Sequence, residues 1–198
     1  GRMHIRPLQF THCFLALLLL GLPSRLAAQT SSDFFDDRIL HEIRIQIDPA
    51  NWQAIKDNYL ANTYYPCEMT WVFDGREVAI GQVGIRQRGT GSRSPIKPGL
   101  GVDISRYQTD QSFLGLKAFI LRNNSQDASM MHEIVSMSLL RRIGHPASRE
   151  AYTKLVVNGT YAGLYTIVEA IDKDFLKVNF AENDGYLYSY QYADAFLF

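Results

Sequence analysis

Cysteine is almost missing from this chain, with two in 198 residues. Cys13 lies in an N-terminal apolar segment, which leaves Cys67 alone in the remainder, so no internal disulfide can staple it. Net charge is missing as well. Twenty basic residues balance twenty acidic ones, and the want of a basic excess argues against a general nucleic-acid binder, although local basic clusters remain. No apolar run reaches the ~20 residues of a spanning helix. No Gly-Lys-Ser or Gly-Lys-Thr follows a glycine at Walker A spacing. His132 and His145 have no metal-ligand partner at a recognised spacing. No nucleophile elbow or Ser–His–Asp arrangement is visible. There is no internal repeat and no low-complexity tract.

What is present is the profile of a globular domain, 46% hydrophobic and 20% charged. Residues 1–28 read as a secretory signal peptide. Arg2, His4 and Arg6 precede the apolar run from Phe14 to Leu22, and Ala27-Ala28 supplies small residues for cleavage. Met3 is the expected start. The expected location is secreted, cell-surface or periplasmic, with no stable membrane span after cleavage. Residues 29–39 read as a linker, polar through 29–37, and 40–198 as one domain.

Leu40–Ile47 alternates apolar and polar residues and predicts a strand. Asp48 and Pro49 open a helix through Trp52, Ile55 and Tyr59. Cys67–Phe73 and Glu77–Arg88 predict a hairpin about Asp74-Gly75. Leu100–Ile104 is a short strand, and Phe113–Leu121 is part strand with a turn at Gly115. Asn123–Asp127 is a capping cluster ahead of a helix that stops at Gly144. Lys154–Val157 and Tyr161–Glu169 flank Asn158-Gly159, a type I′ hairpin. Phe175–Phe180 reads as a helix, and Gly185–Tyr192, with alternating tyrosines, as a strand. This order predicts an α+β fold: a mainly antiparallel sheet with flanking helices.

The most informative stretch runs from Gly84 to Arg93. Gly89 and Gly91 permit close backbone approach to an anion, Arg86, Arg88 and Arg93 offer guanidinium forks, and Thr90 and Ser92 add hydroxyls. The alternative is a hairpin turn with solvated arginines. Lys97 is either a phosphate partner or a surface lysine. Glu133 is placed on its helix either to hold a phosphate-binding lysine or to face solvent. Glu169 ends an apolar strand, as a turn residue or as a buried partner for a base or cation.

Taken in order, Val83–Arg93, Lys97–Asp103, Phe113–Ala118, Leu121–Met131, Leu139–Ala147, Val157–Tyr165 and Val168–Asp172 resemble the spore coat protein H (CotH) kinase family. The resemblance implies an atypical protein-kinase-like small lobe plus the start of a second lobe. It implies transfer of phosphate from ATP, with Mg, to serines of extracellular or coat proteins. On that reading Lys97 and Glu133 are catalytic. Arg86, Arg88, Gly89, Gly91, Ser92 and Arg93 meet the triphosphate, and Glu169 to Asp172 lie near the adenine edge or the lobe junction. The family's metal-binding aspartates fall beyond Phe198, so the chain is expected to be an incomplete and inactive fragment. Two departures stand out: Gly101 replaces a basic residue of many relatives, and His132 replaces an arginine. The alternative is a non-catalytic surface or spore-coat assembly module that retains the fold.

Overall fold

A computed structural model describes residue 1 and residues 28–180, 182 and 184–188. Residues 2–27 of the expected signal peptide (1–28) and the end of the expected last strand, 189–192, lie outside the described residues. The strands are β1 (His41–Ile47), β2 (Tyr65–Phe73), β3 (Arg76–Gln87), β4 (Leu100–Asp103), β5 (Ala118–Arg122), β6 (Glu150–Val157) and β7 (Thr160–Glu169). The helices are α1 (Ser31–Phe34), α2 (Pro49–Asp57), α3 (His132–Arg142) and α4 (Lys173–Phe180). Most lie within a few residues of their predicted positions. The exceptions are α1, which falls in the stretch read as a linker, and 185–188, which forms no strand.

The sheet is a closed barrel in the order β1-β2-β3-β4-β5-β7-β6. This corrects the expectation of an α+β, kinase-like small lobe with flanking helices. The helices are few and short, and β1 pairs in parallel with β6, setting Ile43 against Leu155. Periodicity marks strands but not partners, and this pairing joins residues far apart in sequence. Asn158 fixes the seam. Its side chain accepts from the Ile47 N–H at 2.9 Å and donates to the Ile47 carbonyl at 2.9 Å, across 111 positions of sequence. Its own N–H donates to the Ile45 carbonyl. Asn158 and Gly159 have φ of 50° and 79°, the left-handed pair that a two-residue hairpin turn requires.

Alternation sends Ile43 and Ile45, Met69 and Trp71, Val83 and Ile85, Leu100 and Val102, Phe119 and Leu121, Leu155, and Ile167 into the barrel, where they are buried together. The stretch read as a polar linker supplies a plug. Phe34 has no exposed surface and meets the rings of Trp71, Phe113 and Phe119 edge-on, at 5.4, 5.3 and 5.1 Å.

The outward row across five strands is Arg86, Gly101, Ile120, Val168 and Glu150, each opposite the next. Ile120, Val168 and Glu150 are buried although they point away from the interior. Ile134 of α3 is buried too, and α3 lies against β6. The barrel thus carries a second buried layer on one flank.

Candidate functional site

That flank carries a cleft of about 430 Å³. Ile120 and Val168 of the outward row, Met137 of α3 and Ile171 give it an apolar lining. Arg88, Arg122, Glu133 and Glu169 supply its charges. An apolar pocket of this size with a few convergent polar groups is the usual form of a small-molecule site.

Arg122 and Glu133 form the central pair. Arg122 ends β5 and points outward like Ile120 two residues before it. Its Nε lies 2.6 Å from an oxygen of Glu133, in the first turn of α3. Beneath them, Glu150 of β6 has no exposed surface, and neither of its carboxyl oxygens accepts a hydrogen bond from a described donor. Burial and the neighbouring Glu133 charge push the Glu150 carboxyl up to about 8. Burial raises Glu133 as well, and Arg122 opposes that rise. One proton shared by the two carboxyls satisfies both.

The glycine loop lies beside Arg122, where Arg88, Gly89 and Ser92 line a small pocket with it. Gly89 has φ of +121°, and a Cβ there would stand 2.2 Å from the Ser92 hydroxyl, so no side chain fits. Gly91 approaches the Gln126 side chain. Asn123, directly after β5, holds the loop by donating to the carbonyls of Ser92 at 2.8 Å and Lys97 at 2.7 Å.

The loop's three arginines have different surroundings. The Arg93 guanidinium is spent within the protein. It donates to the carbonyls of Gly89, Leu60 and Ala61 and to the Asn62 side chain, at 2.6–3.1 Å. Arg86 donates to the Asn62 side chain and lies over the Tyr64 ring. Arg88 makes no side-chain hydrogen bond or ion pair with any described residue. Its side chain is exposed at the cleft. Desolvation by its neighbours, then the charges of Arg86 and Arg122, draw its pKa below the ordinary arginine value.

Lys97 and Glu133 are not brought together. The Lys97 ammonium donates to the Leu164 carbonyl at 2.9 Å and sits over the Tyr165 ring, against the β6–β7 hairpin. Glu169 lines the cleft, but its carboxylate is held by Arg149. It accepts two guanidinium hydrogen bonds, at 2.6 and 3.1 Å, and one from the Arg149 N–H at 3.1 Å. Sequence reasoning missed Arg122, Glu150 and Arg149. Counting by two from the core residues Phe119 and Leu121 puts Arg122 outside and finds it. Glu150 carries no such signal, because its burial comes from α3.

A larger groove, about 490 Å³, runs along α3 beside Met131, Val135, Leu139 and Tyr152. It is mostly apolar, with Arg142 and Asp37 its charged residues, and it does not touch the glycine loop.

A family model described as CotH kinase protein matches residues 85–197. The chain belongs to the CotH family. The matched segment starts at Ile85 near the end of β3 and takes in the loop, Arg122, Glu133, Glu150 and Glu169, so every charged group of the cleft lies inside the CotH match. No curated protein matches the chain. No helix among the described residues is long and apolar enough to cross a membrane.

Proposed function

We propose that the protein from which this CotH chain comes is an exported protein kinase that moves a phosphoryl group from ATP to serine hydroxyls of extracellular or coat proteins. The observation that carries this reading is the cleft itself, with its apolar lining and with Arg88 at its edge beside a glycine loop. Those residues fit a nucleotide. Ile120, Val168 and Met137 would hold the base, and Arg88 would meet the phosphates. ATP supplies the transferable phosphoryl group.

The protein's share of the work is positioning and charge. Glu133 keeps Arg122 extended beneath the loop, and the Arg149–Glu169 pair stiffens the end of β7 at the cleft wall. Among the described residues no group of three or more His, Cys, Asp or Glu can hold a metal ion. The described residues therefore do not provide the Mg site that the family resemblance implies, and no step is assigned to it.

The test uses the longest natural reading frame that contains this chain, incubated with ATP, Mg or Mn and a serine-containing exported protein. Phosphoserine on the acceptor, lost in E133Q, is the expected result. No nucleotide binding under any metal condition overturns the reading. Gly101, which offers no side chain, and Lys97, tied to the hairpin, favour the second reading of a non-catalytic assembly module. Stable capture of a coat protein without phosphate transfer is its signature.

A further inference from the structure

Arg88 lies across Gly101. A Cβ built on Gly101 would stand 3.6 Å from Cδ of Arg88 and 3.7 Å from its Cβ. Gly101 sits in the outward row between Arg86 and Ile120. The bare backbone at 101 therefore makes a shallow trough, and the Arg88 stem occupies it on the way to the cleft. Arg88 is also anchored behind, where its N–H donates to the Gly99 carbonyl at 2.9 Å.

The other cations near the loop are engaged. Arg93 is bound to backbone carbonyls, Lys97 to Leu164, Arg122 to Glu133, and Arg149 to Glu169. Arg86 and Arg122 both repel Arg88, and of the three only Arg122 has a carboxylate partner among the described residues. A multiply charged anion in the cleft relieves that repulsion and gives Arg88 a partner that no described residue supplies.

We infer that Arg88 is the side chain that grips a polyphosphate anion in this cleft, and that the absence of a side chain at Gly101 is what lets it reach. The trough makes position 101 a specificity determinant for the loop above it. A side chain that branches at Cβ would fill the trough and lift Arg88 out of the cleft, although the arginine is still in the sequence. Alanine would not, because its methyl meets Arg88 at ordinary contact distance.

This assignment rests on the nucleotide-site reading only in placing the anion, and the experiment separates the two. Titration calorimetry on the whole chain uses inorganic tripolyphosphate and, separately, ATP. Relative to the unsubstituted protein, R88Q and G101V should each weaken tripolyphosphate about tenfold or more. G101A should leave the affinity within about twofold, because its contact is of ordinary length. R88K should recover part of the loss, and the double variant R88Q/G101V should lose no more than R88Q alone. Arg88 is exposed, so R88Q is expected to melt like the unsubstituted protein and its loss cannot be blamed on folding.

An unchanged tripolyphosphate affinity in R88Q overturns the inference, and so does failure of the unsubstituted protein to bind tripolyphosphate at all. If ATP binds and R88Q does not weaken it, the inference fails while the nucleotide reading stands. If tripolyphosphate binding depends on Arg88 but ATP binds no more tightly than tripolyphosphate, the inference stands and the adenine part of the nucleotide reading fails.

Discussion

Glu150 of β6 and Glu133 of α3 are paired carboxyls under one helix, with Arg122 as the ion-pair partner of Glu133. Arg141 of α3 also bears on Glu150, and the Arg141 guanidinium donates to the Ser148 carbonyl. Buried like charges of this kind hold together only while a proton is shared.

That sharing sets a pH dependence. The Glu150 carboxyl lies near 8 in the folded chain, against an ordinary 4.5. Between those values the folded state binds more protons than the unfolded state, so stability falls as pH rises from about 4.5 towards 8. E150Q keeps a donor for Glu133 and removes the titration. Thermal melting across that window should drop by several degrees for the unsubstituted chain and by much less for E150Q. Parallel slopes would refute the shared proton.

Phe34 plugs the barrel with no exposed surface. F34A leaves a cavity among Trp71, Phe113 and Phe119 and should cost about 3–5 kcal/mol, read from urea denaturation. A loss below about 1 kcal/mol would mean that the barrel closes without its plug.

Asn158 bonds both backbone groups of Ile47 and stands at a left-handed φ. N158A loses both bonds and gains strain, which predicts a loss of about 2–3 kcal/mol. N158G keeps the turn and loses only the bonds, so it should retain more stability than N158A. The reverse order would show that the bonds to Ile47 matter little.

Arg93 ties the glycine loop to residues 60–62, after α2. A lysine cannot reproduce the fork. R93K should lower the melting temperature and open the segment around Leu60 to limited proteolysis, an effect that R88Q should not share. Equal protection in both variants would remove the distinction between the two arginines.

Cys67 is buried in the barrel, and desolvation pushes its thiol up to about 12. It should ignore an aromatic disulfide reagent in the native state and react only at the rate of global unfolding. Fast stoichiometric labelling would mean that β2 opens independently.

Local chemistry was legible in the sequence wherever neighbours along the chain decide it. Asp74-Gly75 and Asn158-Gly159 turned where glycine-containing type I′ signals require, and Asp48 capped α2 through its own following N–H groups. The family was legible as well, because its motifs come in order. Closure was not: nothing in Ile43 or Leu155 announces that they will lie side by side. The plug was missed because Phe34 and Phe35 are flanked by Ser31, Ser32, Asp33, Asp36 and Asp37, and composition outvoted two aromatic rings. The cleft was half legible. The glycine loop and Glu133 were visible, whereas Lys97 was turned away by a carbonyl on a distant hairpin.

The parallel pairing of β1 with β6 has a consequence during synthesis. Ile43 leaves the ribosome long before Leu155 exists, so one margin of the growing sheet stays unsatisfied through most of translation. Until β6 arrives, β1 offers its open backbone to any other extended chain, including a sister copy. The nascent chain is therefore most vulnerable to aggregation just before its sixth strand is made, and a binding partner that shields β1 at that stage would raise the yield of folded protein more than one acting at any later point.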